Sequence, residues 1–265
     1  MAKFEASKIP PRVLICGESA SGKTGAIAQL ANAGYRILLF DFDQNARVIG
    51  SYLKPGHADV YIKTLNAARL TNAGIIGGSK EVQQAAVKQM NEFYKMVQHW
   101  KTPEEDLGPS SKLTPKDVIV VDSGTFLAEL CLLAAYEHPE ANKHTPTIYR
   151  IAGQFYASIL DYLTGSNVGA SVIVLTHIMQ TGDKDDQGRI IGKARDIPVG
   201  VGEKMSKRMS QYFSDIWRLE VGRAGDRTFQ TGATDKMSLR TSAPHKIKAS
   251  EPFDLASMFN RLTEN

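Results

Sequence analysis

At 265 residues, 42% hydrophobic and 23% charged, the chain is long enough to bury one sizeable core, and a single α/β domain over 1–265 is the simplest organisation. No apolar run approaches the roughly 18 to 20 residues of a membrane span, and the N-terminal MAKFEASKIP has no apolar centre, so membrane and exported classes are excluded and the cytoplasm is expected. The net charge is a modest +4, and the two cysteines, Cys16 and Cys131, lie far apart in apolar stretches, which excludes a disulfide framework and fits buried thiols.

In chain order, RVLIC (12–16), RILLFDFD (36–43), DVIVVDS (117–123) and ASVIVLTH (170–177) are apolar runs rich in β-branched residues. Their continuity predicts buried strands of a parallel sheet covered on both faces. Between them, helices are predicted over 23–33, with Gly34 as C-cap, and over 80–100, 125–138 and 147–164. Residues 101–116 read as a surface linker. Alternation of strand and helix predicts an α/β fold with a mostly parallel central sheet flanked by helices. After 177 the chain turns rich in Gly and charge, as a long loop or mobile hairpin over 178–203 would be. Order returns with MSKRMSQYFSDIWRLEV, and RTFQTG and KMSLRTS then predict short antiparallel strands that extend the sheet at its C-terminal end.

The stretch GESASGKT (17–24) fits G-x-x-x-x-G-K-[ST] and lies between a predicted strand and a predicted helix. A chance match in a chain this long is on the order of one per cent. Gly17 and Gly22 let backbone N–H groups wrap a phosphate, the helix N-terminus adds a positive dipole end, Lys23 reaches the β- and γ-phosphates, and the Thr24 hydroxyl holds Mg²⁺. Gly17, Glu18, Ser19, Ala20, Ser21, Gly22, Lys23, Thr24 and Gly25 are therefore the expected ATP-binding residues. Asp122, after four apolar residues at a strand end, is the expected second carboxylate of the metal shell. Hydrolysis also needs a base or water-orienting group near the γ-phosphate. LLFDFDQN offers Asp41 and Asp43, alternating at a strand end so that both lie on one face; Asp43 is the favoured base and Asp41 its structural neighbour.

In order and approximate spacing, GESASGKT, the acidic strand end, VIVVDS and VIVLTH resemble the motifs of RecA-like ATPases, and the short chain and the G-x-I-x-G-K-A-R-D-I-P loop are more similar to small phage ATPases of that group linked to recombination and single-strand annealing. The resemblance covers residues 10–245, most strongly the four motifs and weakly 50–115. It implies a RecA-like core with ATP and Mg²⁺ as cofactors, a homo-oligomer in filament or ring form, single-stranded DNA as partner and, for a phage protein, the host cytoplasm. It places Asp43 where RecA proteins carry a catalytic glutamate, one methylene longer. His177 falls where RecA has glutamine and related ring helicases often have histidine, coupling the γ-phosphate to a DNA-binding loop. Lys184, Arg189, Lys193 and Arg195 in that loop would face DNA phosphates, with no aromatic among them for base stacking, leaving Ile190, Ile191 or residues elsewhere. Sites of this kind are completed by cations of the next protomer, and Lys236 and Arg240, at i and i+4 of KMSLRTS on one strand face, are the candidates, with Arg240 the preferred catalytic one.

Residues 180–250 hold 14 Lys and Arg against 9 Asp and Glu, an excess that suits a polyanion and equally a solvated face. DKDDQG (183–188) opens like a calcium loop, but its twelfth position is Ala194, so a turn is expected. His138 and His144 flank Pro139 with no cysteine nearby and carry no metal expectation. Phe93, Tyr94 and Trp100 fit a helix packing face. The leading expectation is a DNA-dependent ATPase promoting annealing or strand exchange. An ATPase that loads a protein partner such as a replicative helicase, or another replication or recombination protein, is the alternative, and a small-molecule kinase a distant third.

Overall fold

Continuous apolar strands need cover on both faces, and the computed structural model, which describes residues 10–65, 79–103, 105–141 and 144–263, provides it. The first half runs β1 (Arg12–Gly17), α1 (Lys23–Asn32), β2 (Arg36–Asp41), α2 (Arg47–Gly50), β3 (Val60–Thr64), α3 (Lys80–Gln98), then a ribbon of β4 (His99–Lys101) and β5 (Asp106–Pro109). The second half runs β6 (Asp117–Asp122), α4 (Gly124–Ala135), α5 (Thr145–Thr164), β7 (Ser171–Thr176), the hairpin β8 (Ile178–Lys184) and β9 (Ile190–Pro198), and α6 (Gly202–Met209). It closes with β10 (Asp215–Val221), β11 (Arg227–Gln230), β12 (Ser250–Pro252) and α7 (Leu255–Thr263).

Eight strands form the main sheet in the order β12-β11-β10-β1-β7-β6-β2-β3. From β10 to β3 every pairing is parallel, and β11 and β12 add antiparallel strands beyond β10. The strand period of two sorts the apolar residues between the faces. Val13, Ile15, Ile37, Leu39, Val118, Val120, Ile173 and Leu175 pack with α1 and α7. Leu14, Cys16, Leu38, Phe40, Ile119, Val121, Val172 and Val174 pack with α3, α4, α5 and α6. Both faces are dry, so truncating one such side chain, Leu38→Ala for example, costs about 2–5 kcal/mol. Phe93 meets Phe40 and Phe42 edge-on, Trp100 meets Phe40, and Cys16 and Cys131 are buried free thiols.

Parallel register lines up the carboxyl ends of four neighbouring strands. Asp41 pairs with Asp122, Asp122 with Leu175, Cys16 with Thr176 and Gly17 with Leu219. The loops that leave β1, β2, β6 and β7 therefore emerge along one edge, the position where open α/β sheets bind ligands.

Two expectations change, and a third, a loop or hairpin after 177, is narrowed. KMSLRTS is not a strand: Met237 and Leu239 are buried between exposed Lys236, Ser238 and Arg240, but the backbone pairs only at the single bridge from Arg240 to Ile216. The antiparallel extension is β11, within the expected RTFQTG, and β12. The linker 101–116 contains β5, paired with β4, and a turn of 3₁₀ helix over Ser110–Lys112. The Gly- and charge-rich stretch after 177 is a paired hairpin, irregular between Thr181 and Asp183, followed directly by α6.

Candidate nucleotide site

The phosphate loop is the five-residue turn from β1 to α1. Gly22, at φ +99°, is the N-cap of α1, a backbone that L side chains rarely adopt, and a Cβ there would meet the Arg227 Nε at 2.9 Å. Gly17 is hemmed in by the Leu219 carbonyl and Ser21 Oγ, each 2.9 Å from where its Cβ would be. Glu18, Ser19 and Ala20 are exposed, while Ser21 and Lys23 are buried. The Lys23 ammonium donates to the carbonyls of Gly17 at 2.9 Å and Glu18 at 2.7 Å, so it is folded over the loop it would serve. Burial lowers its pKa, while Asp122, Cys16, Asp43 and Glu18 pull it back up. Ser21 Oγ is buried with no hydrogen-bond partner, inside the turn that carries the phosphate-loop motif.

Asp122 ends β6 beside this loop and is 2% exposed. Its Oδ2 accepts from Thr24 Oγ1 at 2.6 Å, which brings together the two expected Mg²⁺ ligands. Burial, reinforced by the charges of Asp43 and Asp41, pushes its carboxyl up to about 7. Such a carboxylate costs free energy until a cation shares it, so the donor set fits a divalent ion carried with a triphosphate. The next residue, Ser123, caps α4 by accepting from the Phe126 N–H.

Asp41 and Asp43 do come together, but not by strand alternation, because β2 ends at Asp41. The chain then turns, and the Asn45 and Ala46 N–H groups donate to Asp41 at 3.2 and 3.3 Å while the Asn45 N–H also reaches Asp43 at 3.1 Å. Burial and a hydrogen bond with Asp43 raise Asp41 to about 6. Asp41 thus serves the turn, and the half-buried Asp43 is the freer carboxylate. His177 follows β7; its N–H donates to Thr125 Oγ1 at 3.0 Å and its carbonyl accepts from the Val199 N–H at 2.9 Å, tying the strand end to the far side of the hairpin. Burial and then the nearby Lys23 charge lower its pKa, favouring the neutral imidazole.

A cavity of about 510 Å³ runs from Gly22 and Gly25 along α1 and is walled by Tyr52, Arg227 and Phe253. Tyr52 is 58% exposed and its ring edge approaches Gly25; Arg227 donates to the Ser21 carbonyl at 2.8 Å and lies over the Phe253 ring at 5.8 Å. A phosphate loop with an aromatic-walled cavity beside its helix has room for a base and ribose. Sequence reasoning missed all three residues, since no local spacing links the turn after α2, β11 or the residue after β12 to the loop.

The expected DNA contacts are held differently from one another. Lys184 pairs with Glu203 at 3.3 Å, Arg189 with Asp185 at 2.7 Å and Lys193 with Asp235 at 3.1 Å, and among the described residues only Arg195 of the four has no ion pair. Residues 178–198 hold four Asp (Asp183, Asp185, Asp186, Asp196) against these four cations, so the local basic excess is not in the hairpin. Arg240 donates to the carbonyls of Ser210, at 2.8 Å, and Phe213, so its guanidinium holds the turn before β10; a finger acting on another protomer would have to break these bonds. Lys236 is exposed at the base of the hairpin, where its carbonyl accepts from the Asp196 N–H.

A family model described as an AAA domain matches residues 9–249. No curated protein matches the chain. A solved structure, a prototypical ATPase from the type III secretion system of pathogenic bacteria, aligns with a TM-score of 0.39 and 11% identity over 95% of this chain and 59% of that one. The chain thus spans under two thirds of that structure's length. Among the described residues no helix is long and apolar enough to cross a membrane.

Proposed function

This chain belongs to the AAA domain family and is an ATPase of the P-loop kind, and from that premise we propose that it couples ATP hydrolysis to single-stranded DNA as a homo-oligomer, in annealing or strand exchange of the phage recombination type in a host cytoplasm. The phosphate loop Gly17–Thr24 would hold the triphosphate, with Lys23 leaving its two carbonyls for the β- and γ-phosphates and Ser21 Oγ finding the partner it lacks. Thr24 and Asp122 would hold Mg²⁺, whose charge would neutralise the phosphate oxygens. Asp43 would orient the attacking water and accept its proton, with Asp41 holding the turn that aims it. Tyr52, Phe253 and Arg227 would bracket the base and ribose.

The observation that carries the coupling is the place of His177, with its side chain near Lys23 and Asp43 and its backbone carbonyl bonded to the end of the hairpin at Val199. A neutral imidazole there senses the γ-phosphate on one side and hairpin position on the other. Replacing His177 with Ala tests this: the ratio of ATP turnover with and without oligothymidine should fall toward one. A variant that keeps the wild-type ratio would remove His177 from the coupling. The paired charges of the hairpin favour a second reading, in which it docks on a replication or recombination protein and DNA is involved only indirectly.

A further inference from the structure

The hairpin has no net charge and no aromatic side chain, so a DNA surface needs both from elsewhere. A groove of about 750 Å³ lies beside it, between the start of α5 and α6. On α5 the residues Tyr149, Gly153 and Ala157 recur every four positions and line it, while Val201 and Met205 give an apolar floor. Tyr149 is 45% exposed, one of few large apolar side chains open to solvent. Gly202, at φ +62°, lets its ring lie close, 3.3 Å from where a Cβ would be. Lys204 and Arg208, one turn apart on α6, line the same groove, are exposed, and form no ion pair among the described residues, in contrast to Lys184, Arg189 and Lys193 of the hairpin. Arg150 adds a third positive charge, shared with Glu140 at 2.8 Å.

An exposed aromatic face beside unpaired cations is what a single strand offers partners to: bases stack on the ring and phosphates neutralise the charges. We propose that this groove holds single-stranded DNA, with Tyr149 as the stacking platform and Lys204 and Arg208 as phosphate contacts. The inference rests on the single-stranded DNA reading above and moves its main contact from the hairpin to the helices. It also gives the hairpin a role, because Glu203 on α6 accepts from Thr181 and Lys184 of β8, so occupancy of the groove is felt by the strand that starts beside His177.

The test measures binding of labelled oligothymidine by fluorescence anisotropy across a salt series. Tyr149→Ala should weaken binding about tenfold, Tyr149→Phe should retain it, and Lys204→Gln with Arg208→Gln should lower the log–log salt slope by about 1.4. A Cβ at Gly153 meets nothing within 4 Å, so Gly153→Leu starts a larger side chain from open space in the groove and should also weaken binding. Trp100 and Trp217 are buried, so in Tyr149→Trp the added indole supplies an exposed signal that stacking should quench. Wild-type affinity and slope in the alanine, double and leucine variants, with no quenching, would overturn the groove while leaving the DNA reading in place. Absence of binding by the wild-type chain would overturn both.

Discussion

Replacing Asp122 with Asn should make the nucleotide-free protein more stable and a poorer enzyme. The carboxyl is 2% exposed and displaced from 3.8 to about 7 by burial, Asp43 and Asp41. At about 1.4 kcal/mol per unit, keeping it ionised in the apo fold costs on the order of 4 kcal/mol. Its folded pKa lies above its unfolded one, so the native state binds more protons between the two values, and this group's contribution to wild-type stability falls as pH rises from about 4 to about 7, then levels. Asparagine keeps an oxygen to accept from Thr24 but carries no charge, so the variant lacks that decline. Denaturant unfolding without nucleotide or Mg²⁺ should show the two proteins nearly equal near pH 4 and the variant ahead at pH 7.5, by about 1–4 kcal/mol. In the same preparations, Mg²⁺-dependent ATP affinity and turnover should drop in the variant. An Asp122→Asn protein equal to or less stable than wild type at pH 7.5 would refute the claim that this carboxylate is held at a cost for a cation.

Lys23→Ala should fold normally, by circular dichroism and melting, yet lose about 100-fold or more in turnover, since the γ-phosphate loses its principal cation. Asp43→Asn should bind nucleotide with near wild-type affinity, by calorimetry, while hydrolysis falls by about 100-fold or more; normal hydrolysis would shift the role to Asp41 or another group. Tyr52→Ala should raise the Kd for ATP about 2- to 10-fold and leave turnover at saturation unchanged, which steady-state kinetics separates. For an oligomeric site, specific turnover should rise with protein concentration until assembly is complete, and strict proportionality by the same kinetics would place the whole site within one chain.

The parts of the fold and site that could be read in the sequence are those whose physics is local. Strands β1, β2, β6 and β7 are unbroken apolar runs, and the turn 17–24 carries its own mechanism in glycine, lysine and hydroxyl spacing. The strands missed have weaker texture. β3 is an edge strand, half open to solvent, and β10 mixes Asp215, Arg218 and Glu220 among its apolar residues because Arg218 pairs with buried Asp196. KMSLRTS has the alternation of a strand, yet only one bridge forms, so periodicity there reports burial and not pairing. The hairpin cations look free in sequence because Glu203 and Asp235, the partners of Lys184 and Lys193, lie 19 and 42 residues on. Arg227 and Phe253 reach the cavity beside the phosphate loop through sheet order, which sets β11 and β12 beyond β10, and Tyr52 reaches it from the turn after α2, where its carbonyl accepts from Asn32 of α1.

The most direct measurement is steady-state ATP turnover of the wild-type chain, with Mg²⁺, as oligothymidine is titrated to saturation. The account predicts that turnover rises several-fold and saturates over the same DNA concentrations at which anisotropy reports binding. Turnover that stays flat while DNA binds, or a chain that hydrolyses ATP and binds no DNA at all, would contradict it.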